Sequence, residues 1–364
     1  MGCEGNTNMK RRVSKTIAVG AAATAALVAG ANLNVSAVDA AVTPAATPPW
    51  TSASPSGVGG EITAFAAAQA GNANYQWAFQ STANEVSNGY PSVYSRVNDG
   101  SWTKTALPGS SAGEVFVSAS AISPTDVLAF TDLPGAPVGA REWQYNGTSW
   151  KVIGQFDAPI GTATVINAND VWVFGKTNAD RPLGVYHYDG KTWTKLASTL
   201  NGGQGLSGAT PQAWAYSLNQ VAHYNGKKWV PTVLPIPGND TSVTDFWDAN
   251  GTYYAVGANK QDQTIIFISG NGITWSIAAT YDGATPVENQ IANDGQNGIW
   301  LAVKLGSGGS AVLHYILSIR ELTETPLPGT IDAIHQLDVT HELAGGYDVA
   351  NAGPSTSAEI EYYN

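Results

Sequence analysis

The sequence predicts an all-β chain in which one small antiparallel sheet is copied around a ring. Three observations carry this. A hairpin signal recurs as Asn98-Asp99-Gly100-Ser101-Trp102, Tyr145-Asn146-Gly147-Thr148-Ser149-Trp150, Tyr188-Asp189-Gly190-Lys191-Thr192-Trp193, Tyr224-Asn225-Gly226-Lys227-Lys228-Trp229 and Gly270-Asn271-Gly272-Ile273-Thr274-Trp275. Its glycines fall at 100, 147, 190, 226 and 272, at steps of 47, 43, 36 and 46 residues. An apolar strand signal recurs ahead of it, as Gln76-Trp77-Ala78-Phe79, Val127-Leu128-Ala129-Phe130, Val171-Trp172-Val173-Phe174, Ala213-Trp214-Ala215-Tyr216, Tyr253-Tyr254-Ala255-Val256 and Ile299-Trp300-Leu301-Ala302. Four strands per period of roughly 40–50 residues is the mark of a β-propeller.

The stretch 147–196 shows the unit. Thr162–Ile166 is β-branched and reads as an inner strand. Asn167 to Asp170 turns the chain, since Asn and Asp tolerate left-handed backbone and bond to their own main chain. Val171–Phe174 and Gly184–Tyr188 follow as second and third strands, Asp189-Gly190 makes a tight hairpin, and Thr192–Leu196 is the outer strand. One such sheet alone has nothing to bury against, so it needs neighbours.

Seven inner strands can be read: 61–68, 114–120, 162–166, 206–209, 242–247, 287–292 and 330–336. The chain ends on a third strand, 358–363, while Trp50–Ser54 reads as an outer strand lacking the three before it. The expected architecture is therefore a seven-bladed β-propeller of four-stranded antiparallel blades, with the last blade closed by the N-terminal strand. Closing the ring removes open sheet edges. The outer strand of the sixth blade, near Ser318 to Leu322, lacks the usual Trp.

The spacing Asp170-Val171-Trp172-Val173-Phe174-Gly175 followed by Tyr188-Asp189-Gly190-Lys191-Thr192-Trp193 resembles the repeat of secreted actinobacterial seven-bladed β-propellers, D-V-W-x-V-G … Y-[ND]-G-x-x-W. The resemblance covers about residues 50–364. Leu128, Tyr254 and Leu343 stand where the motif has Trp in the second, fifth and seventh blades. It implies an architecture. It implies little about function, because propellers host binding, lyase, hydrolase and redox roles alike.

Residues 1–40 read as a secretory signal peptide: a basic Lys10 to Lys15, an apolar Ala-rich Thr16 to Gly30, and small residues at Val38-Asp39-Ala40. The apolar run is shorter than the ~20 residues of a bilayer span. Arg11-Arg12 lacks the aromatic-leucine pair of twin-arginine signals, which favours the general export route. Residues 41–49 read as a Pro/Thr/Ala leader, extended and mobile, and 50–364 as a single domain. Cys3 is the only cysteine, so no disulfide is expected. The formal net charge is −11 over the whole chain, and −13 without residues 1–40. Such a surface repels phosphate backbones and anionic lipid, which excludes nucleic acid and membrane as natural partners. Cations and neutral sugars are compatible.

The chemically interesting residues divide by whether they repeat. Trp77, Trp172, Trp214 and Trp300 share one repeat position, and Trp50, Trp102, Trp150, Trp193, Trp229 and Trp275 share another. Repeating aromatic residues are packing residues. Trp247 has no counterpart and sits on an inner strand, where it would floor a channel pocket. His187, His223 and His314 fall on third strands and read as structural. His335 ends the last inner strand, and His341 begins the next strand. Glu61, Glu114, Asp157, Asp240, Asp245, Asp282, Glu288 and Asp332 lie in or beside the loops that enter the inner strands. Converging acids could hold Ca²⁺ through oxygen ligands or work as acid and base. Glu114 and Asp332 are the metal candidates, and His335, Asp332 and Asp245 the catalytic ones. No Cys cluster, H-E-x-x-H, G-x-S-x-G or P-loop is present.

The expected function is an exported, monomeric ligand-binding propeller. It would recognise a glycan, peptide or small secreted metabolite at its loop-rich face through Trp247, Arg181, Tyr281 and Asp157, with no cofactor beyond a possible Ca²⁺. The longer loops 81–91, 132–140, 176–183 and 281–289 would give specificity. The alternative is an extracytoplasmic lyase, hydrolase or cyclase using channel-mouth carboxylates and His335. A second alternative is a protein-interaction module of the cell envelope. The sequence does not decide whether the protein is an enzyme.

Overall fold

A computed structural model describes residues 42–44, 50–52, 60–81, 89–134, 136, 139–175, 184–197, 205–209, 212–236, 242–249, 251–294, 298–327, 330–336, 342–348 and 357–363. It is an all-β propeller of antiparallel blades. The strands form seven sheets, five running in sequence order from an inner to an outer strand and two carrying an N-terminal strand at the outer edge. The third is typical: Ile160–Asn167, Asp170–Gly175, Gly184–Tyr188 and Trp193–Ala197. The inner strands of the others are Glu61–Ala70, Val115–Ser123, Gly205–Ala209, Ser242–Ala249, Ala284–Asn293 and Thr330–Gln336. Each touches the next, and the last returns to the first.

The ring is latched as the strand count requires. Trp50–Ser52 pairs antiparallel with Ser357–Tyr363, with Trp50 opposite Tyr363, and supplies the outer strand of the last blade. Val42–Pro44, within the segment read from the sequence as a leader, runs parallel to Glu321–Leu327 and adds a fifth strand outside the sixth blade. The sixth blade's outer strand begins after Arg320, which turns the chain with φ of 54°. Residues 281–289, expected as a long loop, are instead strand Ser276–Asp282, a turn at Gly283 and the start of Ala284–Asn293.

The core is not central. It is divided into wedges between neighbouring blades, because each sheet buries its two faces against the sheets on either side. Trp77 and Phe79 of the first blade pack with Phe116, Trp143 and Trp150 of the second. Trp172 and Phe174 of the third pack with Ala213, Ala222 and Trp229 of the fourth. Trp214 stacks on Phe246 of the fifth blade at 4.6 Å. Each buried Trp contributes about 4–6 kcal/mol of gross transfer free energy, from ~150–250 Å² at ~25 cal/mol per Å². The second strands are therefore buried along nearly their whole length, on both faces.

The hairpin turns repeat in chemical detail. Asn146 Oδ1 accepts from the N–H groups of Thr148 and Ser149, and Asp189 does the same for Lys191 and Thr192. Asn225 and Asn271 repeat it. The bonds from Thr192 and Lys191 hold the Asp189 carboxyl below its usual range. Gly147, Gly190, Gly226 and Gly272 follow in left-handed backbone. At Gly272 a Cβ would also lie 2.6 Å from the Trp214 ring, so this turn is wedged against the neighbouring blade.

Candidate functional site

The axial channel holds a cavity of about 220 Å³. Its wall is built from inner strands, where side chains alternate between channel and inter-blade wedge. Ser118 and Ser120 come from the second blade, Thr162 and Thr164 from the third, Asp245 and Trp247 from the fifth, and Gln290 and Ile291 from the sixth. Phe246, between Asp245 and Trp247, goes the other way into the inter-blade core.

Two irregularities set Asp245. The pairing of Ser242–Ala249 shifts register between Val243 and Asp245, and that of Ala284–Asn293 shifts between Pro286 and Ile291. A bulge re-aims a side chain, and here it brings a carboxyl to the channel wall. Asp245 is 5 % exposed. Its Oδ1 accepts from the Phe246 N–H at 2.7 Å, and its Oδ2 has no hydrogen-bond partner among the described residues. Burial pushes its pKa well above the usual carboxylate range. The N–H groups of Phe246 and Ile291 act the other way and do not offset burial. The buried Tyr216 hydroxyl is pushed up too, by burial first and then by the charges of Asp245 and Glu288.

Trp247 lines the same cavity and packs against the core between the fifth and sixth blades. Its Nε1 is buried without an acceptor among the described residues. Two other wall residues are bonded within the protein. Ser118 Oγ donates to the Ala163 carbonyl at 2.7 Å, and Gln290 Oε1 accepts from the Ile334 N–H at 2.9 Å.

Several residues singled out from the sequence lie away from this cavity. Glu114, the metal candidate, is wholly buried and used up. Its Oε1 accepts from Thr131 Oγ1 at 2.5 Å and Trp143 Nε1 at 3.2 Å, and its Oε2 from the Ser111 N–H at 2.8 Å and Arg141 at 3.2 Å. It is a structural counter-ion, because four donors leave no lone pair aimed at a metal. Asp157 is exposed and bonded by the Tyr186 hydroxyl, with Lys195 at 3.8 Å, on the rim between blades. Tyr281 stands on the outer strand of the fifth blade, where its hydroxyl is bonded to Glu324 of the sixth and held up in pKa by burial and that partner. It joins blades and does not line the channel. Arg181 lies outside the described residues. Asp332 falls at a register shift of its strand and His335 opposite Leu343, and nothing is described of their side chains. His341 lies outside the described residues. Asp282 and Glu288 are exposed, and no group of three metal-ligating side chains occurs among the described residues.

The third-strand histidines are structural. His187 stacks on Trp172 at 3.9 Å and bonds Asp170 at 2.9 Å; His314 stacks on Trp300 at 3.7 Å and bonds Asp294 at 3.1 Å. Sequence reasoning missed Ser118, Ser120, Thr162, Thr164 and Gln290 as wall residues. The available signal was small polar residues at a spacing of two on inner strands.

No family model matches the sequence, and no related curated protein is found. Solved structures share the fold. YCF48 from Cyanidioschyzon merolae is 12 % identical with a TM-score of 0.58, over 86 % of this chain and 98 % of that one. The extracellular domain of a hybrid two component system, BT4673 from B. thetaiotaomicron, is 12 % identical with a TM-score of 0.60; 86 % of this chain matches 39 % of that longer one. A chain of the mitotic checkpoint complex is 11 % identical with a TM-score of 0.58, over 91 % of this chain and 98 % of that one. The class is that of the antiparallel β-propellers, and at these identities the likeness concerns fold alone.

Proposed function

We propose that this chain is an exported, monomeric, seven-bladed propeller that binds one small polar molecule in its axial cavity. The observation that carries the reading is the pairing of Asp245, with a buried and unpartnered oxygen, and Trp247 on one wall of a channel otherwise lined largely by small residues and hydroxyls. Buried polar groups are normally satisfied, so an unsatisfied one in a cavity marks where a partner belongs. At about 220 Å³ the cavity is below the ~300–1,000 Å³ of drug-sized ligands. That favours a single small metabolite or sugar unit over a glycan chain or peptide. The signal-like residues 1–40 and the repeat's resemblance to secreted actinobacterial propellers support export. The seven sheets and their cyclic contacts support the blade count.

A thermal-shift screen of the purified protein with sugars, amino acids, amines and metal ions tests the reading. At least one small organic molecule should raise the melting temperature, and Trp247→Ala should remove that shift. Hits that all survive Trp247→Ala would place the site elsewhere. Mass spectrometry of the protein recovered from culture medium should show a new N-terminus near Ala40; an intact Met1 or Met9 terminus would overturn export by cleavage.

A further inference from the structure

Resting on the cavity reading above, we infer that the axial cavity selects a small primary ammonium compound carrying a hydroxyl, with the Asp245 carboxylate as its counter-ion and Trp247 as its aromatic wall. The argument begins with the two unpaired atoms. Asp245 Oδ2 is an acceptor without a donor, and Trp247 Nε1 is a donor without an acceptor, in residues two apart on one strand that line one cavity. A ligand completing both must bring a donor and an acceptor a few bonds apart.

Charge decides which donor. No Lys or Arg lines the cavity among the described residues. A second carboxylate, Glu288, is near enough to act on the same Tyr216 hydroxyl as Asp245. An ammonium meeting a desolvated carboxylate makes a charge-assisted bond, roughly twice as strong as a neutral one, and an indole adds favourable contact with a cation. The acidic chain, at net −11, also concentrates cations near the channel mouth. Anions are repelled by both carboxylates and by the net charge, and only the Trp247 N–H favours them. The hydroxyl walls of Ser120, Thr162 and Thr164 suit a polar ligand and cost an apolar one.

The test uses the purified full chain, ¹⁵N-labelled, with the Trp247 indole signal assigned through Trp247→Phe. 2-Aminoethanol and ethylene glycol, which differ by the ammonium, are titrated to about 100 mM near pH 8, where the amine stays charged and even very small ligands reach measurable occupancy. The expected result is a saturable shift with 2-aminoethanol at least tenfold tighter than with ethylene glycol, lost at least tenfold in Asp245→Asn. K⁺ and Ca²⁺ at equal ionic strength should leave the signal in place. Equal response to both probes, response to the inorganic ions instead, or an undiminished response in Asp245→Asn each overturns the inference. If ethylene glycol or a sugar binds and the amine does not, the charge assignment fails while cavity binding stands. Silence towards every probe removes both. Should Asp245→Asn fail to fold, the amine-against-glycol comparison on the parent protein still decides.

Discussion

Replacing Glu114 tests how a buried acid away from the cavity is used. The side chain is wholly buried and accepts from four donors: Thr131, Trp143, the Ser111 N–H and Arg141. Removing one partner of a buried ion pair costs about 3–5 kcal/mol when the other charge is stranded. Here the stranding is incomplete. Arg141 keeps the Gly109 carbonyl at 2.8 Å and Ser111 Oγ at 3.1 Å, is 19 % exposed, and Trp143 keeps Thr131 at 3.0 Å. Glu114→Ala should therefore cost about 2–3 kcal/mol. Glu114→Gln keeps the shape and one acceptor oxygen but turns an NH2 group towards two of the four donors, so it should cost nearly as much, about 2–3 kcal/mol. Urea unfolding followed by fluorescence measures both, with the slope checked for constancy. Ca²⁺ should not move the parent midpoint through this residue. A loss under about 1 kcal/mol for Glu114→Ala, or a Ca²⁺ stabilisation that vanishes in Glu114→Gln, would refute the counter-ion assignment and restore the metal one.

Three further outcomes follow from the same structure. Asp245 has a raised folded pKa, so it penalises folding progressively as pH climbs from about 4, where the unfolded carboxyl ionises, towards its folded value. Asp245→Asn should thus gain stability relative to the parent as pH rises above about 4, and a pH-independent difference in urea midpoints would contradict this. Gly226 and Gly272 both have left-handed backbone, but only Gly272 faces a ring, with Trp214 at 2.6 Å from a would-be Cβ. Gly226→Ala should cost about 1–2 kcal/mol and Gly272→Ala about 1–3 kcal/mol more; equal losses in thermal unfolding would remove the wedge. Deleting residues 1–52 strips the outer strand from Ser357–Tyr363 as well as Val42–Pro44 from the sixth blade, and should promote association and lower the melting temperature more than deleting 1–49, which removes Val42–Pro44 alone. Light scattering and melting curves read both, and indistinguishable behaviour would deny the latch its role.

Much of the site was hidden for a reason visible in two residues. Trp247 stood out in the sequence because no other blade repeats it, and the structure places it on the cavity wall. Glu114 and Asp245 looked alike there, as acids at the starts of inner strands. Their fates diverge through partners far along the chain: Thr131 and Trp143 bind Glu114 across its own blade, while no side chain reaches Asp245 Oδ2 among the described residues. The partners of Asp157 and Tyr281, Tyr186 and Glu324, lie 29 and 43 positions away in the same manner.

What the sequence by itself determined was the repeated sheet, its turns and the strand borrowed from the front of the chain. The sheet and its turns depend on contacts within a few residues, Asn or Asp before a left-handed Gly and apolar runs along each strand, whereas the borrowed strand follows from the strand count, since Trp50 pairs with Tyr363 at the far end of the chain. Only the tertiary structure decided that Glu114 is neutralised by neighbouring strands while Asp245, on the cavity wall, keeps an oxygen without a partner among the described residues. That depends on bulges and on blades meeting across dozens of residues, which no local pattern encodes.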